Sequence, residues 1–219
     1  MKSATRRKQQ QEDLRAKILD AARELFVAEG VESVSMRKIA EKIGYSATTL
    51  YIYFKDKESL LHELCDRDFG TLQESFKNIG RISDPIERLR KLGQAYIAFA
   101  LEYPSHYRLL FMTPHDPPCG DDEYEIERGN PDQDSYAFLR ATVVEALASD
   151  VFRDEYQDAD LVSQVVWSAL HGVASLQLIM SKDHWVQWRP VEQVAQTASD
   201  ALIRGLTRTK KAKKGPGDG

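Results

Sequence analysis

The sequence lacks most features of secreted and membrane-spanning proteins. Its 219 residues include only two cysteines, Cys65 and Cys119, which are too few for a disulfide framework and share no metal-ligand spacing, so both are expected to be reduced thiols. No uninterrupted apolar run reaches 18 residues, and the N-terminal segment has no apolar middle of the secretory type. A cytoplasmic protein with no membrane partner is therefore expected.

Sequence signatures of catalysis are also missing. The chain contains no G-x-S-x-G motif, no H-E-x-x-H motif and no glycine loop for a phosphate group. One segment with metal-ligating residue types, "TPHDPPCGDDEYEIERGNP" at 113–131, has four prolines and many acids, which favours a solvated loop over a metal site. We therefore expect a protein that is not an enzyme and that needs no cofactor and no metal.

Charge is unevenly distributed along the chain. Positions 1–57 hold 12 Lys and Arg against 8 Asp and Glu, whereas positions 58–203 hold 12 against 25, although the net charge of the whole chain is only −4. The last 16 residues are basic again and end in glycine and proline, which predicts a disordered tail. The basic first quarter on an acidic body predicts that this part alone meets a polyanion.

Helix signals recur throughout the chain, and strand signals are almost absent. Apolar residues at three- and four-residue spacing predict a first helix that ends at Gly30, and Ser35 and Ser46 stand where helix caps are expected. Four helices are predicted in the first eighty residues, at about 12–30, 36–43, 47–53 and 55–80.

Prolines mark the helix starts in the remainder of the chain. "DPIE" at 84–87 and "NPDQ" at 130–133 each combine a capping side chain, a proline at the first helical position and Glu or Gln at the third. Further helices are predicted at about 85–102, 104–112, 131–149, 158–180 and 190–207. The fold class is therefore expected to be all-α.

The stretch "IAEKIGYSATTLYIYF" at 39–54 has the spacing of a helix-turn-helix motif. Ile39, Ile43, Leu50 and Phe54 would fill a small core, and Gly44 permits a turn conformation that a side chain would resist. In this motif the second helix enters the DNA major groove. Its hydroxyls and phenols can donate to phosphates and bases without a charge to desolvate. The stretch predicts double-stranded DNA as a partner.

The segment at 13–68 resembles the DNA-binding domain of the tetracycline-repressor (TetR) family of transcriptional regulators. "AARELF", "RKIA", "GYS", "LYIYF" and "KDKESLL" occur in order at family spacing, and "WSALHG" at 167–172 is similar to a shorter signature of some family C-terminal domains. The resemblance implies a homodimeric regulator of transcription, a repressor by family default. It also implies a three-helix DNA-binding domain joined by a long helix to a helical bundle for effector binding and dimerisation.

The resulting domain prediction has four parts. Residues 1–12 form a flexible basic arm, 13–73 the DNA-binding domain, 85–207 the effector-binding and dimerisation domain, and 208–219 a disordered basic tail.

The resemblance also implies roles for individual DNA-binding residues. Ser46, Ala47, Thr48 and Thr49 match positions that face bases. Positions that contact or flank the phosphate backbone are matched by Arg37, Tyr45, Tyr51, Tyr53, Lys55 and Lys57. No Arg, Asn or Gln lies between 46 and 53, so bidentate base contacts are missing, and thymine methyl contacts and DNA shape must supply specificity. The alternatives are a role in the domain core for Tyr51 and Tyr53, and solvent exposure without a DNA contact for Lys55 and Lys57.

Two apolar stripes predict association with a second copy. The helix at 158–180 is apolar nearly all round, and the last helix has a stripe of small residues at Val194, Ala198, Ala201 and Gly205. We expect a two-fold dimer, because a palindromic operator needs two recognition helices. Packing within one chain is the alternative.

Aromatic side chains on the middle helices predict a site for a small apolar or aromatic effector. The candidates are Phe99, Tyr103, Tyr107, Phe111, Trp167 and His171. Residues of this kind at helical spacing also occur as plain core. A regulator without an effector, controlled by its abundance or by a protein partner, therefore stays open.

Overall fold

The computed structural model describes residues 2–114 and 127–208, and within them it confirms the all-α class. A 3₁₀ turn at Ile79–Arg81 follows the fourth helix, and the described residues form no strand, only an isolated bridge between Phe152 and Thr207. The α-helices of the described residues are α1 (Lys2–Glu29), α2 (Met36–Ile43), α3 (Ala47–Tyr51), α4 (Lys57–Phe76), α5 (Pro85–Glu102), α6 (Pro104–Met112), α7 (Ser135–Ala148), α8 (Ala159–Met180) and α9 (Val191–Leu206).

Several of the predicted helix starts carry side-chain caps. The Ser35 hydroxyl accepts from the Lys38 amide at 3.2 Å, which starts α2. Asp84 accepts from the Ile86 amide at 2.9 Å ahead of α5, and Asp158 accepts from the Leu161 amide at 3.1 Å ahead of α8. Each carboxylate or hydroxyl satisfies an amide that has no partner inside its helix, so the chain has a local reason to begin a helix there.

α3 and α4 end at Tyr51 and Phe76, short of their predicted ends at 53 and 80, and two other helices begin far from their predicted starts. α1 begins at Lys2 and not near residue 12, because its added residues are mostly good helix formers that carry no apolar stripe for a periodicity argument to detect. α7 begins at Ser135 and not at 131. The Asn130 side chain accepts from the Asp132 amide at 3.0 Å, and the Gln133 side chain accepts from the Glu127 amide at 3.0 Å. Residues 130–133 therefore form a turn ahead of the helix. The predicted loop core at 115–126 and the tail from 209 lie outside the described residues.

The cysteine prediction needs a correction. Cys65, fully buried in α4, is disulfide-bonded, so the expectation of a reduced thiol is wrong for this residue. The expectation rested on the number of cysteines, whereas a disulfide depends on which side chains the fold brings together. Cys119 lies outside the described residues.

The chain divides into two compact units. The first comprises Met1–Glu74 with Phe99–Ser135, and the second comprises Ser75–Ala98 with Tyr136–Gly219. α6 packs against α1 inside the first unit. The sequence prediction placed α6 in the effector-binding domain, but its packing groups it with the predicted DNA-binding helices.

A buried ion cluster connects three helices of the first unit. The Arg23 guanidinium on α1 makes two hydrogen bonds to Asp68 on α4, at 2.9 and 2.8 Å. His106 on α6 places Nδ1 2.8 Å from the same carboxylate. Burial acts to lower the pKa of Arg23, but hydrogen bonds to Asp68 and Asp20 raise it above its ordinary value. Arg23 is therefore charged, and its charge is balanced inside the unit.

The second unit is built around α8 and α9. Val162, Val166, Leu170 and Ala174 form one buried stripe of α8. The C-terminal end of α9 is held by Arg208, which donates to Asp150 at 2.9 Å and to Asp154 at 2.6 Å. By length and its mean hydropathy of 1.2, α8 also passes as a candidate membrane span. One such helix is weak evidence for a membrane span, and the buried stripe shows that one side of α8 packs inside this unit.

Candidate nucleic-acid interface

The motif predicted at 39–54 forms a helix-turn-helix in the structure. Ile39, Ala40 and Leu50 are buried between α2 and α3. Gly44 ends α2 in the left-handed region, with φ of 76°, and the Tyr45 amide then donates to the Ala40 carbonyl at 3.0 Å. This turn fixes the angle at which α3 leaves α2, and it leaves the opposite side of α3 facing solvent.

The solvent-facing side of α3, with the segment 52–55 that follows it, carries side chains that the domain core does not use. Tyr51 is 54% exposed and Ile52 is 77% exposed, and Thr48 and Lys55 are exposed as well. The alternative of a core role for Tyr51 is therefore wrong, whereas Tyr53 is half-buried. Adjacent exposed residues of this size indicate a contact surface.

Two of the predicted base-facing residues also stabilise α3. Ser46 accepts from the Thr49 amide at 3.2 Å, which caps the helix, and its hydroxyl lies 2.9 Å from the Thr49 hydroxyl. Ala47 is half-buried. Thr48 is left as the exposed hydroxyl of the first turn of α3.

The predicted phosphate-contacting cations differ in their surroundings. Lys55 is exposed. Arg37 is also exposed, and a hydrogen bond to Glu41 at 2.8 Å raises its pKa above the ordinary value. Lys57 is half-buried and donates to the Val31 carbonyl at 2.9 Å. Its ammonium therefore ties the start of α4 to the turn that precedes α2.

Arg15 on α1 is a site residue that the sequence did not indicate. Its guanidinium donates to the Tyr53 carbonyl at 3.1 Å and to Glu63 on α4 at 2.7 Å, and it lies 4.5 Å from the centre of the Phe54 ring. Burial acts to raise the pKa of Glu63, but hydrogen bonds from Arg15 hold it below its ordinary value. Arg15 thus joins the end of the α3 segment to α1 and α4, although in the sequence it is one basic residue among many.

An open groove of about 430 Å³ lies beside the helix-turn-helix. Arg7, Gln10, Gln11 and Leu14 of α1 line one side of it. Tyr45 and Tyr53, which stand before and after α3, also line it.

The six predicted effector residues are divided between the two units. Phe99, Tyr103, Tyr107 and Phe111 belong to the first unit, where the Phe99 and Tyr103 rings lie 5.7 Å apart and the Tyr107 and Phe111 rings 5.1 Å apart. Tyr107 is fully buried. These rings contribute to the core of that unit, and Phe69, which the sequence did not indicate, lies 6.1 Å from Phe111.

Trp167 and His171 belong to the second unit and meet there at Tyr96. The Trp167 indole donates to the Tyr96 hydroxyl at 3.0 Å, and that hydroxyl lies 3.3 Å from Nδ1 of His171. The Tyr136 ring lies 5.9 Å from Trp167. Burial lowers the pKa of His171, so its imidazole is neutral at pH 7. A neutral polar triad beside aromatic rings suits a ligand with an apolar body and one polar end.

No set of three or more His, Cys, Asp or Glu side chains suited to a metal occurs within residues 2–114 and 127–208.

Comparisons with known proteins cover both the helix-turn-helix and the C-terminal helices. Residues 18–64 match the model of the tetR family of bacterial regulatory proteins, and residues 89–204 match that of the tetracyclin repressor-like C-terminal domain. An HTH-type transcriptional regulator of Staphylococcus aureus (strain bovine RF122 / ET3-1) is 43% identical over 65 residues, which are 30% of this chain and 35% of that protein. A second one, from strain MRSA252, is 33% identical over 98 residues, 45% of this chain and 51% of that protein. The chain thus spans only about a third to a half of the length of these relatives.

Among solved structures, the TetR-family transcriptional regulator PfmR of Thermus thermophilus superposes with a TM-score of 0.63 at 25% identity, over 88% of this chain and 96% of that one. The second family model alone covers more than half of the chain, and the first covers the helix-turn-helix described above. The chain therefore belongs to the tetR family of bacterial regulatory proteins.

Proposed function

We propose that this regulator is a cytoplasmic repressor that binds a palindromic operator as a homodimer and is released from it by a small apolar or aromatic molecule. The observation that carries the proposal is the solvent-facing side of α3, where Thr48, Tyr51 and the C-cap residue Ile52 are exposed without a role in the domain core. A helix of five residues that keeps such side chains outside is suited to insertion into a major groove.

At the operator, α3 supplies the base contacts. Thr48 and Ala47, with Ser46 and Thr49 behind them, face the base edges, and Ile52 meets thymine methyls. Tyr45, Tyr51, Tyr53, Lys55 and Arg37 surround this surface and contact phosphates. Lys57 acts here mainly as a positioning residue, because its ammonium already donates to the Val31 carbonyl.

Homodimerisation would cover an apolar face of the second unit. Leu161, Val165, Leu176 and Ile179 are between 40% and 59% exposed and lie along one side of α8, and Val194 on α9 is 39% exposed. Ala201 and Gly205 continue the exposed stripe of α9 with small residues. A second copy packed on these helices would remove the apolar surface from water and present two recognition helices.

The effector would bind in the second unit, with Tyr96, Trp167 and His171 holding its polar end. His171 has a pKa lowered by burial and is neutral, so the site favours an uncharged hydrogen-bonding group over an anion. Phe99, Tyr103, Tyr107 and Phe111, which lie in the first unit, stay a prediction as effector contacts. Effector and operator must then weaken each other's binding by the same factor.

Selection of bound duplexes from a random pool tests the DNA part of the proposal. A palindromic consensus is expected, and Thr48→Ala should lose on the order of 1 to 3 kcal/mol at particular base pairs only. Lys55→Ala is the matched comparison, because the loss of a phosphate contact weakens all sequences alike. An equal loss from Thr48→Ala at every sequence would contradict the placement of α3.

A thermal-shift screen of uncharged aromatic and aliphatic compounds tests the effector. Compounds that stabilise the parent protein should also release the operator. Stabilisation without release, or a screen without any stabilising compound, would favour the alternative of a regulator controlled by its abundance or by a protein partner.

A further inference from the structure

The N-terminal part of α1 extends beyond the apolar stripe of that helix. Residues 5–13 are all exposed, and the first half-buried residue is Leu14. At 1.5 Å per residue, the extension from Lys2 to Asp13 is about 18 Å long. An exposed helix of this length contributes no core to the domain, so its sequence is free to serve an external contact.

One face of this extension lies along the groove beside α3. Arg7, Gln10, Gln11 and Leu14 follow the spacing i, i+3, i+4, i+7, so their side chains share one side of the helix. Tyr45 and Tyr53 line the same groove. Because these tyrosines flank α3, the groove continues directly from the proposed DNA-contact surface.

The groove is rich in hydrogen-bond donors. It offers the Arg7 guanidinium, two glutamine amides and two phenols. Lys17, whose ammonium lies 5.7 Å from the centre of the Tyr45 ring, adds a second positive charge. The carboxylate of Asp13 also lines the groove, but it accepts from Gln9 at 2.9 Å. Two cations against one carboxylate leave a positive balance that suits phosphate groups.

We propose that this groove holds the sugar-phosphate backbone of the DNA strand next to the half-site read by α3, with Arg7 as the principal phosphate contact. The proposal rests on the proposed function, since it requires α3 to lie in the major groove. Duplex DNA carries one phosphate charge per about 1.7 Å of axis. A helix of about 18 Å therefore passes several phosphates, and the guanidinium can bind one of them with two hydrogen bonds.

Adjacent basic residues provide a matched pair of variants. Lys8 is next to Arg7, is also exposed, and pairs with Glu12 at 3.9 Å instead of lining the groove. Arg7→Gln and Lys8→Gln therefore remove the same charge from two sides of one helix. A long-range charge effect acts on both variants, whereas the loss of a phosphate contact acts on the first alone.

The test measures operator affinity of the full chain as a function of salt concentration. A dimer loses two phosphate contacts in Arg7→Gln, so the slope of log K against log salt should fall by about 1.8, and affinity at 0.1 M salt by about 60-fold. Lys8→Gln should change both quantities much less. Equal changes in the two variants, or an unchanged slope in Arg7→Gln, would overturn the proposal.

Ethylation interference supplies a readout that long-range charge does not move. Ethylation of the phosphate that Arg7 contacts should weaken binding of the parent protein and of Lys8→Gln but no longer of Arg7→Gln, whereas ethylation of the phosphates contacted from around α3 should weaken all three proteins. The same interference pattern for all three proteins would overturn the contact. If the parent protein selects no duplex at all, the proposed function fails; if it does and Arg7→Gln behaves as the parent, only this inference fails.

Discussion

Replacement of Asp68 by asparagine should destabilise the protein strongly. Asp68 is fully buried and accepts one hydrogen bond from Arg23 at each of its two carboxylate oxygens. Nδ1 of His106 lies 2.8 Å from one of these oxygens, Oδ1. An asparagine has the same shape but no charge. The Arg23 guanidinium, whose side chain is only 8% exposed, would then keep just one charged partner, Asp20.

The size of this effect follows from the burial of the pair. Removal of one partner from a buried ion pair costs about 3 to 5 kcal/mol, since the other charge stays in the interior. The Asp20 carboxylate remains 2.8 Å from Arg23 but is 68% exposed, so it compensates for only a small part. We therefore expect a loss of about 3 kcal/mol for Asp68→Asn. Arg23→Met should lose more, about 5 kcal/mol, because it leaves the carboxylate with His106 alone.

Urea denaturation followed by circular dichroism measures both variants. The concentration of protomers must be the same throughout, because dimerisation contributes to the measured stability. The double variant Arg23→Met with Asp68→Leu should be more stable than either single variant, because it removes both charges and fills the space with apolar groups. Single variants that each lose less than about 1 kcal/mol would refute the importance of the buried cluster.

Three further predictions concern assembly and pH. Ala201→Trp, at an exposed position of α9, should overpack the proposed dimer contact and release monomers in sedimentation experiments, whereas an unchanged dimer would place the interface elsewhere. The pKa of Glu63 is lowered, so its contribution to stability is complete above the ordinary value of 4.5 and is lost as the pH falls below it. A difference in the free energy of unfolding between the parent protein and Glu63→Gln that stays constant down to about pH 3 would contradict this. Burial lowers the pKa of His171 from 6.5, so below that pH the unfolded chain takes up a proton more readily than the folded one, and acidification should destabilise the parent protein more than His171→Asn. The same pH dependence of the free energy of unfolding in both proteins would contradict this prediction.

The sequence alone predicted the features that depend on neighbouring residues. The caps at Ser35, Ser46 and Asp84 are hydrogen bonds between residues two or three positions apart, so the residue types suffice to identify them. The buried positions of α2 and α3 were also predictable, because the helical spacing of apolar residues is a local feature of the sequence. The long start of α1 was missed because helix propensity without an apolar stripe is a weak signal.

Only the tertiary structure decided which charged and aromatic side chains meet. Arg15 reaches Glu63 across 48 positions, and Arg23 reaches Asp68 across 45, so no local pattern distinguishes these arginines from solvated ones. The same holds for Lys57, whose partner Val31 lies 26 positions away. The predicted effector residues share helical spacing and chemistry, yet four lie in one unit and two in the other. Sequence periodicity identifies the buried side of a helix, but its partner is chosen by the packing of helices that are distant in the chain.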